Sequence, residues 1–239
     1  MAKLPVLMYH SVSEHLEESN GLTIAANKLD EHFQYLASNG YTTLHFKDLQ
    51  GFTSPDQFPE KAVIITFDDV YVNQLELAYP LLKKYNFKAC FYIPFQYVGK
   101  VDSWNTGKEP IMTVEQLKSL DQEVIELGLH SFEHKKYDEM SEEEVQEDFD
   151  KCKAFISQHK LNIHNTLAYP YGKYPKKGDY NTNFFASLDR NRIAYGLRIG
   201  NRVNHYPFAN NYEVQRIDIK GEYALKTFIR KLKKGKSWF

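Results

Sequence analysis

Short apolar runs alternate with helix-length amphipathic segments along the whole chain, and that order constrains the fold more than any single motif. Two neighbouring strands that run parallel need a crossover of a dozen residues or more, so the alternation predicts parallel strands joined by helices. The predicted strands are Pro5 to Tyr9, Ala62 to Phe67, Ala89 to Ile93, Val124 to Leu129, Thr166 to Tyr169, Ile193 to Arg198 and Val214 to Ile219. Seven such strands form a barrel or a wide open sheet. No repeat or low-complexity linker divides the 239 residues, which therefore read as one domain, 1–239.

The clearest helix is Glu142 to His159, where Ser141 and Glu144 make a capping box and Val145, Phe149, Cys152 and Ile156 form one apolar stripe. Thr113 and Gln116 offer a second capping box for a helix to about Leu120, and Lys28 to Ser38 and Leu75 to Tyr85 read as further helices. Turn residues predict loops over Gly51 to Glu60, Gly99 to Pro110, Gly172 to Asn183 and Gly200 to Asn211.

Lys plus Arg number 30 against 31 for Asp plus Glu, so no net field draws the chain to nucleic acid, and a general nucleic-acid binder is excluded. Aromatic residues make up 15%, a supply of flat surfaces for a core or for stacking on a sugar ring. Cys90 and Cys152 fall in apolar patterns and are expected to be buried free thiols. The apolar run Leu4 to Tyr9 is too short for a membrane span or a signal-peptide core, which leads us to expect a cytoplasmic protein.

Four polar clusters each follow a predicted strand, at the sheet edge where parallel α/β folds build their sites: His10, Asp68-Asp69, His130-Ser131-Phe132-Glu133-His134 and Tyr169-Pro170-Tyr171-Gly172. His130 and His134, four apart, would point the same way on one turn and share a metal ion. Adjacent carboxylates repel unless a cation or separate roles accommodate them. One of Asp68 and Asp69 would complete a site of two histidines and one carboxylate, and the other would act as a base on a water there. A plainer role for Asp69 is that of a helix N-cap.

These residues resemble the polysaccharide deacetylases of the NodB-homology type, carbohydrate esterase family four. Thr66-Phe67-Asp68-Asp69 is similar to the first motif of that family, Thr-Phe-Asp-Asp-Gly, and His130-Ser131-x-x-His134 matches the second. Ala78 to Tyr85 followed by Ala89 to Ile93 resembles the family's first helix and second strand, and the similarity runs from about Pro5 to Gly172. The resemblance implies a distorted (β/α)7-type barrel and a hydrolase that removes N-acetyl groups from an amino-sugar glycan or its precursor. It implies that Asp69, His130 and His134 bind a divalent metal, Zn2+ or else Co2+ or Ni2+, with Asp68 as general base and the Tyr171 N–H facing the oxyanion. The usual C-terminal Leu-x-His is absent after Tyr171. Instead Leu7-Met8-Tyr9-His10 resembles the poly-N-acetylglucosamine deacetylase subgroup, in which the proton-donating histidine comes from the N-terminal strand, and His10 is therefore expected to be the general acid.

The chain departs from the family at two further points. Ala168 stands where many members carry the arginine of Arg-x-Pro-Tyr, and Val70 replaces the glycine after the aspartate pair, where valine tolerates a positive φ poorly. Both departures leave room for a degenerate glycan-binding member. The same fold would also suit amide hydrolysis on a non-sugar substrate, and two histidines with one carboxylate would also suit an Fe(II) oxygen site. Finally, Glu222 to Lys233 reads as a helix with an apolar stripe of Leu225, Phe228, Ile229 and Leu232 beside a basic face. The stripe is expected to pack on the barrel; with Trp238 and Phe239 it also allows peripheral contact with an anionic membrane.

Overall fold

The computed structural model describes residues 2–52 and 57–235. Trp238, Phe239 and residues 53–56 of the predicted Gly51 to Glu60 loop lie outside that set. Seven parallel strands close into a barrel: β1 (Val6–Tyr9), β2 (Ala62–Asp68), β3 (Ala89–Ile93), β4 (Ile125–Leu129), β5 (Thr166–Ala168), β6 (Tyr195–Ile199) and β7 (Val214–Asp218). Around the barrel the order is β1, β7, β6, β5, β4, β3, β2, and β2 pairs with β1 to complete the ring. The closure is uneven. β3 and β4 share five registered pairs, whereas β4 and β5 share one, Leu129 opposite Leu167.

The strands are apolar without a break because both faces are covered. Successive side chains point to opposite faces of a strand, and the core divides accordingly. Leu7, Ile65, Phe67, Phe91, Leu129, Leu167 and Ile217 belong to the layer under the helices. Val6, Ile64, Cys90, Tyr92, Ala168, Leu197 and Val214 form a second cluster inside the ring.

The helices are α1 (Ala26–Ser38), α2 (Tyr79–Lys84), α3 (Val114–Ser119), α4 (Glu142–His159), α5 (Gly178–Arg190) and α6 (Leu225–Lys234). Both predicted capping boxes form: Thr113 with Gln116 opens α3, and Ser141 with Glu144 opens α4. Five expectations need correction. α5 runs through part of the predicted Gly172 to Asn183 loop; Gly172, Pro175 and Gly178 mask it, and its start has no side-chain cap. α1 begins at Ala26 rather than Lys28, again without a side-chain cap. The predicted Leu75 to Tyr85 helix is a π-type turn at Gln74–Ala78 followed by α2, because Pro80 near its start has no N–H for the helical ladder. The predicted Gly200 to Asn211 loop contains a strand, Asn204–Tyr206, which pairs antiparallel with Ala2–Leu4 and stands where a crossover helix would be. α6 starts three residues later than predicted; Phe228 and Leu232 of its stripe are buried, Phe228 against His32 of α1 at 3.8 Å between ring centroids. Both cysteines are buried and free. No helix among the described residues is long and apolar enough to cross a membrane.

Glu126 lies within β4 at the N-terminal side of the ring and is 4% exposed. Its carboxylate accepts the N–H groups of Phe46 and Lys47 at 3.2 and 2.9 Å and so fastens the segment after the short strand Thr42–Thr43. Burial pushes its pKa up from 4.5 to about 7 despite those bonds. A group whose pKa is raised by folding favours the fold while protonated, so this contribution is present below pH 4.5 and is lost as pH rises through about 7. Urea unfolding should therefore show stability falling across that window, by on the order of 3 kcal/mol from this group. Glu126→Gln should flatten the slope; an unchanged slope would assign it to other groups.

Candidate active site

The period of two that sorts the core also assembles the site. Asp68 lies two residues beyond Thr66, His10 two beyond Met8, His130 two beyond Gly128 and Arg216 two beyond Val214, so each continues the inward-facing series of its strand to the C-terminal rim. Gln74, fully buried, bonds the carbonyls of His10 and Asp68 at 2.9 and 2.6 Å and ties the ends of β1 and β2 together.

Beyond Asp68 the backbone turns left-handed at two consecutive residues, Asp69 (φ 77) and Val70 (φ 47), which is not a helix start. Valine meets the conformation for which glycine is favoured, at a cost of about 1–2 kcal/mol. The surroundings impose it: Val70 is fully buried, its carbonyl accepts the Met112 N–H at 2.9 Å, and Tyr71 bridges to Ile111.

Asp69 Oδ1 stands 3.6 Å from His130 Nε2 and 3.3 Å from His134 Nε2. The two histidines meet without a helical turn, contrary to expectation. Ser131 (φ 58) and His134 (φ 57) are left-handed, and the segment is pinned by Phe132 N–H to Asp148 Oδ1 at 2.7 Å and by His130 N–H to the Ile93 carbonyl. His130 Nδ1 lies 2.7 Å from the Ala168 carbonyl, which leaves Nε2 with its lone pair free. Burial pushes the His130 pKa down to about 4 even beside two carboxylates, so the ring is neutral near pH 7. Asp69 Oδ1 is buried with no hydrogen-bond donor among the described residues, and one donor atom from each of the three residues lies within 4.8 Å of the others. Two imidazoles and a carboxylate with an open side are a donor set that fits a divalent ion such as zinc.

Asp68 does not join that set. Its two oxygens accept Arg216 Nη1 and Nη2 at 2.5 and 2.7 Å, a forked pair across the interior with both side chains at most 2% exposed. Burial alone would raise the Asp68 pKa; the Arg216 guanidinium, then His130 and His10, hold it well below the usual carboxylate range. Sequence reasoning missed Arg216. The arginine sought at the Ala168 position comes from β7 instead, and the available signal was an arginine at an inward position of an apolar strand, Val-Gln-Arg-Ile-Asp.

His10 Nε2 lies 3.7 Å from Asp68 Oδ2. Tyr171 (φ 56) and Gly172 (φ 65) are both left-handed, and a Cβ on Gly172 would come within 2.8 Å of Ile199, so only glycine fits there. The exposed Tyr171 ring meets His134 edge-on at 4.8 Å. One cavity of about 280 Å³ is lined by all six residues singled out in the sequence, His10, Asp68, Asp69, His130, His134 and Tyr171, together with Arg216 and Trp104.

The family model for polysaccharide deacetylase matches residues 56–184. A Bacillus subtilis (strain 168) protein named as a polysaccharide deacetylase, YxkH, is 33% identical over 72% of this chain, and this chain spans 58% of that relative's length. The poly-beta-1,6-N-acetyl-D-glucosamine N-deacetylase of Staphylococcus epidermidis (strain ATCC 35984) is 24% identical over 95% of this chain and 78% of its own. Among solved structures, the Streptococcus pyogenes deacetylase PplD in complex with acetate superposes with a TM-score of 0.76 at 22% identity, covering 97% of this chain and 98% of that one, and shares the barrel fold. Since the family model spans more than half of the sequence, including both the aspartate pair and the histidine pair, the chain belongs to the polysaccharide deacetylase family.

Proposed function

We propose that this protein is a divalent-metal-dependent hydrolase that removes N-acetyl groups from an amino-sugar glycan or glycan precursor. The observation that carries this reading is one cavity in which the ionised Asp68, held by Arg216, lies beside the Asp69–His130–His134 cluster and His10. Two relatives support the substrate class: one is named a poly-beta-1,6-N-acetyl-D-glucosamine N-deacetylase, and the other carries the polysaccharide deacetylase name.

Asp69, His130 and His134 would hold the cation, Zn2+, Co2+ or Ni2+, which supplies polarisation of the acetamide carbonyl and acidifies a water. Asp68 takes the proton of the attacking water; the forked bond from Arg216 keeps the carboxylate charged and fixed in orientation. The Tyr171 N–H faces the developing oxyanion, where one donor contributes about 3 kcal/mol. His10, 3.7 Å from Asp68 Oδ2, protonates the departing amine. The degenerate, binding-only reading loses its two motives, because Arg216 stands in for the arginine missing at Ala168 and Val70 adopts the left-handed turn.

Protein stripped of metal should release no acetate from N-acetylglucosamine oligomers, and zinc, cobalt or nickel should restore release. Asp68→Asn should bind the ion yet lose turnover by about 10²–10⁴-fold, whereas His134→Ala should lose both. One bound ion per chain without acetate release from any oligomer would overturn the proposal. His10→Ala should slow amide hydrolysis more than hydrolysis of an activated acetyl ester; equal loss on both would make His10 structural.

Arg216→Met leaves a buried carboxylate without its partner and should cost about 3–5 kcal/mol in urea unfolding. Adding Asp68→Asn should return much of that loss. Additive losses in the double variant would show that the two side chains are not coupled.

A further inference from the structure

The two histidines of the cluster are held by different means. His130 has its second nitrogen on the Ala168 carbonyl at 2.7 Å. His134 has no such bond: its Nδ1 is buried and meets no hydrogen-bond partner among the described residues. A metal-binding imidazole ordinarily takes its orientation from the hydrogen bond at its other nitrogen. Apart from Asp69 Oδ1 at its Nε2 and the edge-on ring of His130, two aromatic contacts bear on His134. The Trp104 indole lies along one face, 4.5 Å between centroids at 24°, and the Tyr171 ring meets it edge-on at 4.8 Å and 73°.

Trp104 is itself fixed from outside the cluster. It sits in the Gly99 to Pro110 segment, closed at its base by a Val101–Pro110 bridge. The fully buried Asp102 carboxylate organises the interior, accepting N–H groups of Thr106, Lys108 and Glu109 at 3.2, 2.9 and 3.0 Å. The ring of Tyr97 supports the indole from another side at 4.5 Å. The indole is therefore placed by its own loop, whether or not an ion is present.

We propose that Trp104 is a positioning residue for His134: stacking on its loop-fixed indole replaces the missing hydrogen bond and holds the imidazole with Nε2 toward Asp69 and His130. The edge-on contact of Tyr171 adds to the stack, and the two rings together clamp the imidazole. This inference rests on the reading that Asp69, His130 and His134 hold a divalent ion.

The test is calorimetric titration of the metal-stripped protein with Zn2+, alongside Trp104→Ala, Trp104→Leu and Trp104→Phe. The unaltered protein and Trp104→Phe should bind with affinities within a few-fold of each other. Trp104→Ala and Trp104→Leu should bind about 10–100-fold more weakly, while their thermal midpoints without metal match that of Trp104→Phe. Should Trp104→Ala fail to fold, leucine against phenylalanine still decides, since both fill space and only one offers a flat face. Equal zinc affinity in the leucine and phenylalanine variants would overturn the clamp and leave the metal site standing. No zinc uptake by the unaltered protein would overturn the metal site and the clamp with it.

Discussion

The forked pair between Asp68 and Arg216 is the interaction on which the rest of the site depends. It spans the interior from β2 to β7, past the intervening β1, with neither partner reaching solvent. Neither charge could be buried there alone, since an isolated ion inside a protein loses its hydration without recompense. Each therefore requires the other at bonding distance, and that requirement sets the level at which the two strands end relative to each other. His10 and His130 occupy the same level and approach Asp68 Oδ2 at 3.7 and 3.8 Å. The pair also separates two neighbouring carboxylates that would otherwise be chemically alike. Asp68, held by a guanidinium, keeps its charge, while Asp69 is left facing the imidazoles of His130 and His134.

Parallel strands joined by helices were legible in the alternation of apolar runs and amphipathic segments, and the motif resemblance chose the barrel over an open sheet; five helix segments were legible too, most sharply where Ser141-x-x-Glu144 and Thr113-x-x-Gln116 mark a start. α5 was not, because Gly172 and Pro175 precede it, Gly178 is its first residue and no capping side chain opens it. Of the cavity, the motifs gave the six polar residues by type and spacing. They could not give Arg216, whose role arises from a contact across the ring and not from neighbours in sequence. Nor could they give Trp104, which reads as one more loop aromatic until the Asp102 turn places it on His134. The four-residue spacing of the histidines suggested a helical turn; two left-handed residues bring the same side chains together by another route.

Ala168 and Val70 show two ways in which a departure from a motif is absorbed. At Ala168 no arginine stands, and the guanidinium on Asp68 belongs to Arg216 of β7, while the alanine takes part through its carbonyl, which meets the His130 ring nitrogen. At Val70 the geometry stayed and the cost was accepted. A buried side chain, a backbone bond from Met112 and the Tyr71–Ile111 bridge hold a β-branched residue where glycine would rest without strain.

The thin junction between β4 and β5 gives His130 a second role. Only Leu129 and Leu167 are registered there, so the wall has almost no ladder at the point where the adjoining residue on β4's side turns inward. The contact from His130 Nδ1 to the Ala168 carbonyl crosses this gap one step further up. A single imidazole thus faces the cavity with one nitrogen and stitches the sheet with the other. Loss of that side chain would loosen the wall of the vessel as well as take one imidazole from the cluster with Asp69 and His134, and the two effects would arrive together.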